Sequence, residues 1–295
     1  MIKADLHMHP CFYGRNKPDY LTEWPRILPG YRQPSLTNIV EFCFDSDIGV
    51  LALSSAQMHK KAIDSTWQMY EKQLTKMPRD DASYLDEKIG IMHFEKNRKK
   101  LLIIPSQEVR TKYKGMAADV NILGVREILM PEEDTDETIK RALDLGGIVG
   151  VCHPLDRSGI GLGKAVQLYE EGVYHGEDNG KVHYVEISGE SSSEINNQTK
   201  KELKKSGIKV VPVSDSHHYK QMGSSHVLFD RGLTEKFSMQ ELGRRLKYSN
   251  FTGIVGRASQ TSRFVHHTFP ITASLPGWII KNPKYILSVL LKRKE

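Results

Sequence analysis

Short aliphatic runs recur along the chain, separated by longer stretches whose apolar residues fall three and four positions apart. The first pattern marks strands buried on both faces and the second amphipathic helices, so their alternation predicts β-α units around a parallel sheet. Candidate strands run over Ile2–Leu6, Gly49–Ser54, Leu101–Ser106, Val120–Val125, Gly147–Cys152, Val182–Ile187 and Ile208–Val213. That number suits a barrel better than a small open sheet. Between them, Leu36, Ile39, Val40 and Cys43 share one helical face behind Ser35 as N-cap. A second helix starts at Thr135 or Asp136 and is stopped by Gly146-Gly147, and a third runs from Ser193 to Ser206 before Gly207.

The connection from Ala62 to Lys100 is much longer than an ordinary crossover and reads as two charged helices around a break at Pro78. Such an insertion would cover one mouth or side of the barrel, or make a subunit contact. After Gly223 the alternation changes: Ser238–Tyr248 reads as a helix, Gly253–Val255 as a short strand, and Lys284–Lys294 as a helix docked on the body. The chain thus divides into a barrel over residues 1–225, with a helical insertion at about 57–100, and a C-terminal extension over 226–295.

Composition narrows the class. With 295 residues, 39% of them hydrophobic and 26% charged, the chain buries a core without staples. Its three cysteines, Cys11, Cys43 and Cys152, lie far apart in no C-x-x-C spacing, which excludes a disulfide framework and predicts a reducing, cytoplasmic setting. The segment from Met1 to Asp5 leads directly into a histidine-containing stretch, so no secretory signal is expected, and no apolar run reaches the roughly 18 to 20 residues of a membrane span. A net charge of +6 permits anionic partners without demanding them.

Ionisable residues cluster just after the C-terminal ends of the candidate strands: Asp5, His7 and His9 after the first, Glu108 after the third, His153 after the fifth, Glu186 near the end of the sixth, and Asp215 with His217 after the seventh. In parallel barrels that rim is where sites are assembled from different strands. Residues two apart share a face of an extended chain, so His7 with His9, and Asp215 with His217, can address one ion. The set offers nitrogen and hard oxygen donors and no thiolate, which suits Zn²⁺, Mn²⁺ or Fe²⁺ in open coordination.

The chain resembles the PHP superfamily, named for its polymerase and histidinol phosphatase members, through Asp5-Leu6-His7-Met8-His9-Pro10, Glu108, the stretch Gly146 to Pro154 that ends in His153-Pro154, and Val213-Ser214-Asp215-Ser216-His217. The resemblance implies a distorted seven-stranded (β/α)7 TIM-like barrel with two or three divalent ions (Mn, Fe or Zn) and phosphoester hydrolysis by a metal-activated hydroxide. By this likeness His7, His9, Glu108 and Asp215 hold one ion, Glu108 and His153 contribute to a second, and His217 to a third.

Two departures stand out. Relatives end the second strand with Thr-Asp-His, whereas Ser54-Ser55-Ala56 follows Leu53 here; His59 is the nearest substitute. Where relatives carry a further histidine, Asp119-Val120-Asn121 stands, so Asp119 is the candidate oxygen ligand, with Asn121 the weaker substitute. Arg110 and Arg157 are candidate clamps for phosphate oxygens, and Asp5 is expected to orient a histidine ligand from behind.

Gly159 to Lys164 imitates a phosphate loop, but Ala165 replaces the required Ser or Thr, so it reads as a rim loop. Lys200, Lys201, Lys204 and Lys205 lack interleaved aromatics, which disfavours single-strand binding. A small phosphorylated substrate is the expected partner, with nucleic acid second. The rivals are a degenerate barrel that acts as a binding or regulatory module, motivated by Ser55 and Ala56, and a nuclease.

Overall fold

The computed structural model describes residues 1–10, 34–58, 60, 64–78, 82–156, 159–171, 182–206, 208, 210–230, 237–248 and 252–256. The strands among them are β1 (Ile2–Met8), β2 (Ile48–Gln57), β3 (Ala82–Asp86), β4 (Ile91–Lys96), β5 (Lys99–Tyr113), β6 (Met116–Leu123), β7 (Ile148–Val151), β8 (Tyr184–Ser188), β9 (Val210–Val213), β10 (His226–Phe229) and β11 (Thr252–Ile254). The helices are α1 (Leu36–Asp45), α2 (Thr66–Leu74), α3 (Thr135–Asp144), α4 (Leu162–Glu171), α5 (Ser193–Lys205) and α6 (Met239–Tyr248). Ser35 caps α1 in a reciprocal pairing with Asn38, and Asp134 caps α3 by accepting from Asp136 N and Glu137 N.

The strands follow one another in the order β11-β10-β1-β2-β5-β6-β7-β8-β9. Above β9 the sheet meets its own first strand: His7 O accepts from Asp215 N at 2.8 Å, and Ser216 O accepts from His9 N at 2.9 Å. The result is a nearly closed, barrel-like sheet. It departs from uniform β-α alternation because β6 runs antiparallel to both β5 and β7. The hairpin joining β5 to β6 turns at Lys114 and Gly115, whose φ values of 50° and 80° lie in the left-handed region. The long insertion also differs from expectation: α2 is its only helix among the described residues, and β3 and β4 form an antiparallel hairpin that extends the sheet beside β5.

Side chains along the inner face change character from bottom to top. On β5, Leu102 and Ile104 belong to the interior apolar cluster, and Ser106, Glu108 and Arg110 continue the same face. On β2, Val50 and Ala52 lead to Ser54 in the same way. Met239, Leu242 and Leu246 of α6 pack into the apolar end. Outside the sheet, α1 and α2 cover Leu51, Leu53, Leu101 and Ile103, while α3, α4 and α5 cover the outer face of β6 to β8. The interior is thus a plug at one end and a polar cup at the other.

One irregularity aims the site. The pairing of β1 with β2 slips between Asp5 and Met8. Below the slip, Ala4 and Leu6 point inward; above it, Met8 packs outward against α1 and His7 and His9 point inward. A bulge re-aims side chains in this manner. Among the described residues no helix is long and apolar enough to cross a membrane. The expected helix at 284–294 lies outside the described residues.

Candidate metal centre

Two histidines of β1 begin the site. His7 Nδ1 lies 2.9 Å from Glu186 Oε2 on β8, and His9 Nδ1 lies 3.1 Å from the Ser54 carbonyl oxygen on β2. A carbonyl and a carboxylate accept, so each Nδ1 carries a hydrogen and each Nε2 is turned into the cup, where it can meet a proton or a metal ion. Those two Nε2 atoms are 3.1 Å apart. Glu108 Oε2 lies 3.2 Å from His9 Nε2 and 4.0 Å from His7 Nε2, and Asp215 Oδ1 lies 3.8 Å and 3.6 Å from the same atoms. His153 Nε2 faces the other oxygens, at 3.4 Å from Glu108 Oε1 and 3.7 Å from Asp215 Oδ2. His217 stacks on His9 with ring centroids 4.6 Å apart.

The donor set fits a divalent cation. Two imidazole lone pairs and two carboxylates converge on one buried locus, an arrangement of acceptors that repel one another unless positive charge sits among them. Ligand atoms of His7, His9 and Glu108 lie mutually within 4.8 Å, as do those of His9, Asp215 and His217. The locus also attracts protons: burial opposes charge on His7, yet Glu186, Asp215 and Glu108 outweigh it and raise its pKa to about 10. His153 is raised well above the usual imidazole value against its burial, chiefly by its bond to Glu108 and the charge of Asp215. Glu108 stays well below the usual carboxylate range despite burial because His153 and His9 donate to it. Cys152, beside this cluster, is held as a thiol by burial and by Glu186.

Asp215 reaches the locus from a left-handed backbone, φ 50°, a conformation that aspartate tolerates better than most residues. Ser188 Oγ donates to its Oδ2 at 3.0 Å and fixes the carboxylate plane.

His7, His9, Glu108, His153, Asp215 and His217 therefore come together. Glu108 sits within β5 rather than after it, because that strand runs on to Tyr113. Asp119 does not take a ligand position: it lies opposite Arg110 in the β5–β6 register and accepts from its Nε at 3.0 Å and Nη2 at 3.1 Å. Asp5 also departs from expectation, because the slip in β1 leaves it on the outer side. Its Oδ1 accepts from Ser214 N at 3.0 Å and its Oδ2 from Gly223 N at 2.8 Å, and the carboxylate also accepts from the His7 backbone N–H, so it braces the loop that carries Asp215 and the backbone of His7 rather than an imidazole ring. The orienting role belongs to Glu186, whose inward position as the one charged residue of the five-residue β8 is the available signal. His59 and Arg157 lie outside the described residues. Lys164, the last residue of the phosphate-loop imitation, pairs with Asp136 at 3.2 Å over the Tyr113 ring, away from the cluster.

No family model matches the chain, and no curated protein does. Among solved structures it is similar to PsfC from Pseudomonas syringae PB-5123, at 14% identity over 94% of this chain and 100% of that one, with a TM-score of 0.55. It is also similar to the lesion-specific endonuclease PfuEndoQ from Pyrococcus furiosus, at 14% identity over 83% of this chain and 56% of that one, with a TM-score of 0.48. A candidate metal-dependent phosphoesterase from Bifidobacterium adolescentis gives 11% identity over 73% and 88%, with a TM-score of 0.41. At such identities the likeness concerns the fold.

Proposed function

We propose that the chain is a metal-dependent phosphoesterase of the PHP type, hydrolysing a phosphate monoester or a small phosphodiester. The observation that carries this reading is the convergence of His7, His9, Glu108, His153 and Asp215, drawn from four places in the sheet, with their acceptor atoms turned towards one another. Glu108 and Asp215 each direct one oxygen to the His7–His9 side and the other to the His153 side. Carboxylates so placed would join two ions, with His217 available to a further one. Divalent ions there would lower the pKa of water and neutralise charge on phosphate oxygens. Within the chain, Glu186 and Ser54 hold the imidazole rings, and Ser188 holds Asp215. Arg110 stands on the face of β5 that carries Glu108, and its side chain is 31% exposed, so it would bind non-bridging oxygens from a fixed position.

The test is metal analysis of the purified protein followed by an aryl-phosphate assay with added Mn²⁺. Bound metal and turnover, with turnover abolished in His7→Ala while unfolding stays cooperative, are expected. Protein that holds no metal and turns over no phosphoester overturns the reading.

A further inference from the structure

Beneath the ligand cluster the interior holds a continuous chain of buried polar groups. Ser54 Oγ donates to Ser106 Oγ at 3.0 Å, and Ser106 Oγ donates to Asn121 Oδ1 at 2.6 Å. On its other side Asn121 Nδ2 lies 2.8 Å from the Leu6 carbonyl oxygen, 3.1 Å from Tyr184 Oη and 2.9 Å from Glu186 Oε1. Glu186 Oε2 then accepts from His7 Nδ1. Asn121 and Glu186 are both fully buried. Gly150 makes room for this layer, because a Cβ there would meet the Tyr184 ring at 2.3 Å.

The links of Asn121 to Leu6, Ser106 and Glu186 each have only one direction. The Leu6 carbonyl can only accept, which fixes the amide nitrogen of Asn121 on that side and its oxygen towards Ser106. The amide nitrogen therefore donates to Glu186 Oε1, leaving Glu186 Oε2 as an acceptor for His7. We propose that Asn121 is a positioning residue: by donating to Glu186 Oε1 it holds the carboxylate so that Oε2 meets His7 Nδ1, which keeps the His7 ring turned with Nε2 towards the metal. This rests on the metal-centre reading above and assigns to that centre an orienting group two hydrogen bonds away from its ligand His7.

The inference makes an asymmetric prediction for Glu186→Gln. Asn121 Nδ2 would select the new amide oxygen, so the amide nitrogen would face His7 Nδ1 and donate to it. His7 would then place its hydrogen on Nε2 and lose its lone pair to the cup. A change of one oxygen to one nitrogen, with shape conserved, would thereby weaken metal binding.

The experiment is calorimetric titration of the chelator-treated full chain with Mn²⁺, together with ¹⁵N-edited spectra of the histidines in the zinc-loaded protein. The wild type should show His7 protonated at Nδ1, and Glu186→Gln should lose that signal and raise the Mn²⁺ Kd about 10- to 100-fold. Mn²⁺ binding of equal strength in Glu186→Gln, with the Nδ1 signal intact, overturns the positioning role and leaves the metal centre standing. A wild type that does not bind Mn²⁺ overturns the metal centre itself. Should Glu186→Gln fail to fold, Asn121→Ala decides: it leaves every ligand and Glu186 in place, removes the donor to Glu186 Oε1, and should raise the Kd about threefold to tenfold, whereas an unchanged Kd counts against the proposal.

Discussion

Arg110 and Asp119 face each other across the β5–β6 hairpin and are joined by two parallel N–H···O bonds, with the carboxylate 1% exposed and the guanidinium at the mouth of the cup. Asp119 thus gives each oxygen to the arginine. Burial and the charge of Glu108 raise its pKa, and Arg110 works against them.

Removing the arginine should accordingly have two separable effects. Arg110→Met leaves Asp119 buried without its counter-charge and should destabilise the fold by about 3 kcal/mol in urea unfolding. It should also lower kcat/KM for a phosphoester about 10- to 100-fold. Combining Arg110→Met with Asp119→Leu should restore most of the stability and none of the activity; recovery of turnover in the double variant would remove Arg110 from the site.

Asp5 offers a purely structural prediction. Its carboxylate is fully buried beneath the loop carrying Asp215, and burial, opposed by its bonds to Ser214 and Gly223, raises its pKa to about 6. Asp5→Ala strands two buried N–H groups, at Ser214 and Gly223, and should cost about 3 kcal/mol of unfolding free energy. A loss below about 1 kcal/mol would show that water replaces the carboxylate.

Far from the cup, His183 sets an acid limit. Its Nδ1 accepts from Val149 N at 3.2 Å at the start of β8, and burial together with the charge of Lys247 lowers its pKa from 6.5 to about 4. The unfolded chain takes up a proton here below about pH 6.5 that the folded protein refuses. The stability linked to this group is therefore complete above pH 6.5 and is lost as the pH falls towards 4, by about 3 kcal/mol in all. Urea unfolding between pH 7 and 4.5 should show a shallower decline for His183→Gln, which keeps an acceptor for Val149. Parallel declines would exclude His183 as a source.

Metal should stabilise the fold by mass action. At a free Mn²⁺ concentration about 100-fold above Kd the gain is about 2.7 kcal/mol, with protons released because the ion displaces them from the histidines. Thermal unfolding with and without chelator reads the first and calorimetry in two buffers reads the second. His7→Ala should abolish both.

Much of the ligand set is legible in the sequence because it depends on short spacing: His7 with His9 and Asp215 with His217 follow from the two-residue period of extended chain. The orienting role of Glu186 escapes because its partner His7 lies 179 residues away, a relationship that only closure of the sheet creates. The pairing of Asp119 with Arg110 is not legible in an all-parallel sheet; the reversal at Lys114-Gly115 places the two opposite each other. The β4–β5 hairpin was hidden for a local reason. Its turn places Asn97 and Arg98 at φ 53° and 64°, and an arginine at the second position, where glycine is usual, conceals the signal among charged residues. The slip in β1 has no signature in composition at all, and it alone turns Asp5 away from the cup.

The height of β5 has a mechanical consequence. The strand continues five residues past Glu108, so the tip of its hairpin rises about 17 Å above the carboxylate. Where β2 stops pairing, the segment 132–134 takes over that edge: Arg110 O accepts from Glu132 N at 2.7 Å, and Lys112 N donates to Glu133 O at 2.8 Å. The guanidinium is thus mounted on a buttressed wall, and an incoming anion would meet it already in place, with no loop to fold down before contact is made.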